Sequence, residues 1–293
     1  MTPRRAAGAA AFAGAAATAV ASYFDENTRR AVTIGTMGPV CRLFVRGMNH
    51  LHVHDMHYLE RSLERPSGIG LLTVSNHIAT IDDPHLIAAV VPPRLLLRGS
   101  TEMRWGVCAA DVCFKEGSFL AKCADAAKVL PVRRGAGVFQ EELDVIITKL
   151  RQGDWVHYFP EGKIRQDRHV HPFRRGVGRI IAAIDDTDHL QVLPFYHIGL
   201  DNVQPTTPES TSILSKPNLG IHVHVIFGAP VDLSHWLAMR NHPPFDKQPM
   251  LLYEIIAHIL EEEVRGLRAE LQRRICDQGD SIVYVREREA SAS

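Results

Sequence analysis

The sequence is poor in cysteine and has no excess of charge of either sign. No two cysteines form a C-x-x-C pair, and their odd number does not suit a full disulfide framework. We therefore expect mostly free thiols at Cys41, Cys108, Cys113, Cys123 and Cys276. The 33 basic residues are balanced by 33 acidic ones among 293 residues. A general nucleic-acid-binding protein usually carries a basic excess, so nucleic acid is not an expected partner.

Several motifs of well-known enzyme classes are also missing. Without a G-x-S-x-G segment, a serine lipase mechanism lacks its usual nucleophile. Neither a Walker A loop nor a G-x-G-x-x-G segment is present to hold a nucleotide. Histidine pairs could suggest a metal site, but no acidic or cysteine partners follow them at ligand spacing; the pairs are His52/His54, His169/His171 and His222/His224. We therefore do not expect a metal site at these histidines.

The first part of the chain is an uncharged, alanine-rich run from residue 6 to residue 24, preceded by Arg4 and Arg5. Alanine contributes little transfer free energy, so the run is a poor membrane-spanning segment. Arginines without acidic residues fit an organellar presequence or a shallow membrane anchor, and a disordered tail is the alternative. We assign residues 1–48 to a targeting or membrane-associated segment and residues 49–293 to one further domain.

Strand and helix patterns alternate along that domain. Short apolar runs predict strands at 70–74, 129–132, 155–159, 192–196 and 221–227. Helical spacing predicts helices at 52–65, 84–91, 109–123, 138–150, 176–184 and 250–274, with a further strand at 94–97. Such alternation is typical of an α/β domain built on a central sheet.

The segment SNHIATIDDPHL sets polar side chains at the end of one predicted strand. Across a strand-to-helix turn, Asp82 can accept a hydrogen bond from one nitrogen of His77, which fixes the tautomer and raises the basicity of the other nitrogen. Asp83 fits a cap or first-turn acid of the following helix. The alternative is that Asn76, Asp82 and Asp83 only form an Asx-rich turn, with His77 a bystander.

A second polar cluster follows the strand at 155–159. Glu161, Gly162 and Lys163 occupy a turn in which the glycine allows close approach of a ligand and the lysine offers a charge for phosphate. Arg133 and Arg134 end another strand. The three cations could form a phosphate-sized pocket near His77, although each alone is more typical of a solvated surface charge.

These motifs resemble the conserved blocks of the glycerolipid acyltransferase superfamily. The resemblance lies in N-H-x-x-x-x-D from Asn76, VLPVRRG from Val129, FPEG from Phe159 and VLPFYHIG from Val192. TVSNHIATIDDPHL, MRWGVCAADVCF and GDWVHYFPEGKI are closer still to the tafazzin family of mitochondrial phospholipid transacylases. The resemblance implies a single glycerol-3-phosphate acyltransferase-like domain, a mixed central sheet flanked by helices.

The resemblance also implies roles for individual residues. His77 would be the general base, activated by Asp82, with Asn76 and Asp83 as structural neighbours. The substrate would be bound by Arg133, Arg134, Glu161, Gly162 and Lys163.

By the same resemblance, acyl chains would pass from a phospholipid to a lysophospholipid such as monolysocardiolipin, without coenzyme A or another cofactor. The protein would act at a mitochondrial membrane surface facing the intermembrane space. The segment from Met103 to Phe114 would either dip into one leaflet, with Trp105 at headgroup level, or form a buried helix. An acyl-CoA-dependent acyltransferase and a lipid-binding or membrane-shaping protein with a structural dyad are the competing hypotheses.

Overall fold

A five-stranded mixed sheet forms the centre of the molecule. The computed structural model describes residues 25–98, 102–184, 189–205 and 217–277. The sheet contains β1 (His50–His54), β2 (Gly70–Ser75), β5 (Trp155–Tyr158), β6 (Leu190–Ile198) and β7 (His222–Phe227). Their order is β1–β7–β6–β2–β5, with the β6–β7 pair antiparallel and the other pairs parallel. The predicted α/β fold with a mixed central sheet is therefore confirmed.

A smaller parallel sheet extends the central one. It consists of β3 (Gly106–Ala109) and β4 (Val129–Val132). Trp105 joins the two sheets, because its amide donates to the carbonyl of Trp155 at 2.7 Å and its carbonyl accepts from the amide of His157 at 2.8 Å.

Helices cover both faces of the central sheet. They are α1 (Glu26–Gly47), α2 (His57–Leu63), α3 (Ile87–Val90), α4 (Pro93–Arg98), α5 (Ala110–Cys113), α6 (Phe119–Ala126), α7 (Glu141–Arg151), α8 (Arg175–Ala182), α9 (Leu200–Val203), α10 (Ser234–Ala238) and α11 (Pro249–Asp277). Successive side chains of a strand point to opposite faces. Leu72 and Val74 accordingly pack with α7, α8 and α11, whereas Leu71 packs with α1, α2 and α3.

Helix α1 is packed onto the domain that follows it. Ile34, Cys41 and Val45 are buried. Arg42 donates to the carbonyls of Ala88, Ala89 and Val91 at 2.7–3.2 Å, and Arg46 donates to Ala89 at 2.7 Å. These arginines satisfy carbonyls at the C-terminal end of α3 that have no partner within that helix. The division of the chain at residue 48 stays a prediction.

The alanine-rich run from residue 6 to residue 24 lies outside the described residues. Among the residues that the structure describes, no helix is both long and apolar enough to cross a bilayer.

Three predictions about local structure are wrong. The segment predicted as one helix at 52–65 is divided between β1 and α2, because β1 pairs along its whole length with β7. The predicted strand at 94–97 belongs to α4, which Pro93 begins, a position where proline is tolerated because its missing amide proton is not needed. The predicted helix at 109–123 is two short helices, α5 and α6.

A disulfide corrects one further expectation for this part of the chain, and a buried tryptophan favours one of the two alternatives for residues 103–114. Cys108 and Cys113 are joined, so these two thiols are not free. Trp105 is only 6% exposed, and its indole nitrogen donates to Asp154 at 3.1 Å. It therefore belongs to the core and does not face a membrane.

Candidate active site

The end of β2 brings His77 and Asp82 together. The chain leaves the sheet after Ser75 and turns back at Asp82–Leu86, a π-type turn. Nδ1 of His77, in the loop before this turn, lies 2.9 Å from Oδ2 of Asp82. The aspartate side chain is fully buried, whereas the imidazole is 20% exposed. The predicted contact is therefore present, with the carboxylate buried and the ring partly exposed.

Backbone amides fix the position of the Asp82 carboxylate. The amides of Ile78 and Ala79 donate to the same Oδ2 atom at 2.7 and 3.0 Å. Burial opposes ionisation, but the imidazole of His197 and the hydrogen bond from His77 outweigh it and lower the pKa of Asp82. Asp82 is thus a carboxylate that holds the nearby imidazole in one tautomer and one orientation.

Asn76 ties this turn to the neighbouring strand β6. Its side-chain amide donates to the carbonyl of His197 at 2.9 Å, and its side-chain oxygen accepts from the amide of His197 at 3.1 Å. The side chain thus continues the ladder of hydrogen bonds between β2 and β6 for one more residue. The structural role predicted for Asn76 stays a prediction.

Asp83 has a partner that is distant in sequence. It was expected to mark the start of the next helix, but its backbone is extended and its carboxylate accepts from Nε of Arg104 at 2.8 Å. A second nitrogen of Arg104 binds the same oxygen. Both side chains are buried, with 8% and 2% exposed, so this ion pair connects the turn to the segment before β3.

The turn after β5 covers the imidazole of His77. The ring of Phe159 stacks on it, with centroids 3.9 Å apart and planes at 13°. Glu161 is buried next to the backbone of His77, and burial raises the pKa of Glu161 to about 8. A large fraction of Glu161 is therefore protonated at neutral pH.

The next two residues differ in exposure and backbone geometry. Gly162 has a φ of +69°, and a Cβ atom there would lie 2.7 Å from Nε of Arg174. Only glycine suits this position. Lys163 is exposed. The turn therefore presents a lysine to solvent and holds a carboxyl group inside.

Arg133 and Arg134 lie after β4, in the smaller sheet. Nε of Arg133 lies 2.6 Å from Glu142 of α7, and Arg134 binds Asp111 of α5. Both arginine side chains are about half exposed. Their contacts are therefore with acids of adjacent helices, and a shared pocket with Lys163 stays a prediction.

Two buried histidines were not singled out from the sequence. His197 lies 3.8 Å from Oδ2 of Asp82, and Nδ1 of His157 lies 3.0 Å from the hydroxyl of Thr73. Burial lowers the pKa of His197 and lowers that of His157 to about 3, so the His157 ring is neutral at pH 7. Their positions inside apolar strands, in VLPFYHIG and WVHYF, were the available signal.

Comparison with known proteins identifies the family. A family model described as Acyltransferase matches residues 50–197, half of the chain and the part that contains this site. The chain belongs to the acyltransferase family. The acyltransferase is 30% identical to Tafazzin of Drosophila melanogaster over 82% of the chain and 61% of that protein. It is 34% identical to N-acylphosphatidylethanolamine synthase of Arabidopsis thaliana over 63% of the chain and 64% of that protein. The predicted resemblance to tafazzins is confirmed.

The acyltransferase also has a counterpart among solved structures. The crystal structure of the 1-acyl-sn-glycerophosphate (LPA) acyltransferase PlsC from Thermotoga maritima superposes with a TM-score of 0.55 over 89% of each chain, at 18% identity. This similarity shows a shared fold. The chain spans less than two thirds of the length of the curated relatives named above.

Proposed function

We propose that this acyltransferase exchanges fatty acyl chains between phospholipids and lysophospholipids without coenzyme A. The observation that supports it most strongly is the 2.9 Å contact between His77 and the fully buried Asp82. A histidine that is oriented by a carboxylate and partly exposed is suited to take a proton from an alcohol. The similarity to tafazzins favours a phospholipid as acyl donor and a lysophospholipid as acceptor.

The chemistry needs only one base and two lipids. Nε2 of His77 removes the proton of a lysophospholipid hydroxyl, and the oxygen attacks the ester carbonyl of the donor. The tetrahedral intermediate collapses, its C–O bond to the donor glycerol breaks, and the protonated imidazole returns the proton to the departing oxygen. One ester is formed and one is broken, so no external energy source is consumed.

Groups around the imidazole can bind the lipids. The protonated Glu161 can donate a hydrogen bond to a lipid oxygen, which an ionised carboxylate could not do. The exposed Lys163 can attract a phosphate, and the backbone at Gly162 can approach a substrate closely. Arg133 and Arg134 can take part only by leaving their acidic partners, so we assign them a secondary role in phosphate binding.

The site of action follows from the tafazzin similarity and from the sequence. We propose binding to a mitochondrial membrane surface facing the intermembrane space, with monolysocardiolipin and a phosphatidylcholine-like lipid as substrates. Residues 1–48 would target or associate with the membrane, and residues 49–293 would be the acyltransferase domain.

A transfer assay without coenzyme A tests the proposal. The purified full chain is mixed with vesicles that contain a phospholipid labelled in its acyl chain and an unlabelled lysophospholipid. We expect label in the acceptor for wild type and for His235→Ala, which changes an exposed histidine of α10, and none for His77→Ala. Strict dependence on added acyl-CoA would select the coenzyme-dependent alternative. No transfer by folded, vesicle-bound protein under either condition would contradict both and favour a lipid-binding protein.

The similarity to the plant protein supports a second candidate for the acyl acceptor. Its name states synthesis of N-acylphosphatidylethanolamine, in which the acyl group is attached to an amine. The same imidazole can deprotonate an amine nucleophile. Adding phosphatidylethanolamine to the vesicles and separating amide from ester products distinguishes the two acceptors.

A further inference from the structure

Five histidines lie along the paired strands β1 and β7. The register places His50 opposite His222 and His52 opposite His224, and His54 follows on the same face of β1. Nε2 of His52 lies 3.0 Å from Nδ1 of His222, and Nε2 of His54 lies 3.5 Å from Nδ1 of His224. The sequence shows only separate pairs. The pairing of β1 with β7 brings these histidines together in one cluster.

We propose that His52, His222 and His224 form a binding site for a divalent transition-metal ion such as Zn²⁺. Nitrogens of these three side chains all lie within 4.8 Å of one another. Zinc binds imidazole nitrogen at about 2.0–2.1 Å, so two nitrogens on one tetrahedral ion are roughly 3.4 Å apart. The His52–His222 distance is already near that value. The third ligand needs a movement on the order of 1 Å, and the fourth position is left for water.

The rings must rotate to bind the ion, and their torsions permit it. The His52 ring is nearly parallel to those of His222 and His224, with interplanar angles of 11°. Imidazole nitrogens bind metals in the ring plane, so the rings have to turn toward a common point. The χ2 torsion of histidine is broad, which makes such a turn inexpensive. The strands that carry the three residues are hydrogen-bonded to each other and hold the Cα atoms in place.

Metal ions bind the neutral form of imidazole. His224 is fully buried, and His52 and His222 are partly buried. Binding replaces the hydrogen bond between His52 and His222, and the proton of that bond moves by tautomerisation to the other nitrogen of its ring, so that neutral imidazoles bind the ion.

The proposed metal site is separate from the candidate active site. Ile198 of β6 is paired with His224, and the preceding residue, His197, is paired with Val225. Alternate residues point to opposite faces, so His224 and His197 lie on opposite sides of the sheet. The metal would therefore be structural, and it would fasten the edge strand β1 to β7 beneath α11. This inference does not depend on the proposed function.

Metal titration of the full chain tests the inference. Protein stripped with a chelator is titrated with Co²⁺, whose visible absorption reports tetrahedral coordination, and Zn²⁺ is then added in competition. We expect one ion per chain and displacement of Co²⁺ by Zn²⁺. His52→Gln and His222→Gln should each weaken binding by at least about tenfold.

Two matched variants locate the site. His54→Gln removes a histidine on the same face of β1 outside the triad, and His258→Gln changes the other candidate group, on α11. Both should bind as wild type does. Absence of tetrahedral Co²⁺ absorption, binding unaffected by His52→Gln and His222→Gln, or binding lost only with His258→Gln would overturn the proposal.

Chemical footprinting of the histidines in the wild-type protein tests the site even if the variants do not fold. Diethyl pyrocarbonate modifies accessible imidazole nitrogens, and mass spectrometry locates the products. We expect Zn²⁺ to protect His52 and His222 but not the exposed His235. Equal modification of His52 and His222 with and without Zn²⁺ would contradict the site.

Discussion

The His77–Asp82 turn and the Arg133–Arg134 turn both follow a strand, and both resemble family motifs, yet the protein holds them differently. Asp82 is fully buried and receives three hydrogen bonds on one oxygen atom. The two arginines are about half exposed, and each has an acidic side chain as partner. In the first turn, burial and backbone donors fix a single geometry. In the second, solvent screens the charges and the side chains can change partners at little cost.

The largest effect should come from Asp82→Asn. The amide can replace the carboxylate in shape but cannot hold the imidazole of His77 in the same tautomer or stabilise it when protonated. We expect transfer to fall by about 10⁴-fold. Initial rates and the unfolding midpoint of the variant would be measured together. A rate close to wild type in folded protein would remove Asp82 from the mechanism.

Arg104→Met extends the comparison to the buried ion pair beside the turn. The substitution keeps the volume but leaves the Asp83 carboxylate buried without its cation. We expect a loss of about 3–5 kcal/mol in the free energy of unfolding.

A double variant separates the charge from the packing. Arg104→Met combined with Asp83→Asn should recover part of that loss, because no unpaired charge remains. Denaturant unfolding of the four proteins gives the coupling energy. Strictly additive changes would show that the two side chains act independently.

The variant Glu161→Gln tests the protonation of the buried carboxyl group, because it changes how the free energy of unfolding depends on pH. Burial raises the pKa of Glu161 from 4.5 to about 8, so the folded protein retains a proton that the unfolded chain has lost. Its contribution to stability is therefore full below the unfolded pKa and is lost as pH rises toward 8. Near pH 8 we expect the variant to be more stable than wild type by about 4 kcal/mol, with the difference vanishing near pH 4. A difference that does not vary with pH would contradict a protonated Glu161.

The smallest effect should come from Arg134→Ala. The pair with Asp111 is exposed, so we expect an unfolding midpoint and a transfer rate close to wild type, with Arg151→Ala on α7 as the control. Transfer rates at low and high salt would be compared for the two variants. A large, salt-dependent loss of transfer rate in Arg134→Ala alone would contradict the contrast between the two turns. It would give this turn a direct role in binding phosphate.

The predictions from sequence are most accurate for elements whose signal lies in a short stretch of residues. The helix α7 and the strand β2 follow from short apolar patterns, and the turn between His77 and Asp82 follows from five residues of spacing. The spacing of Met56, Leu59 and Leu63 predicts a helix that begins inside β1, whereas β1 is a strand because it pairs with β7 in a distant part of the chain. The sequence could not predict that Asp83 pairs with Arg104 or that His197 lies near Asp82, because both contacts depend on how distant elements pack.

Arg42 and Arg46 set a practical limit on how the enzyme can be shortened. Both project from α1 onto carbonyls at the end of α3, a few residues beyond the turn that contains Asp82. A recombinant fragment starting at residue 49 would retain every side chain named in the proposed reaction and still lose these donors. Expression trials should therefore begin upstream of Asp25, whose carboxylate accepts from the amides of Asn27 and Thr28 and caps this helix.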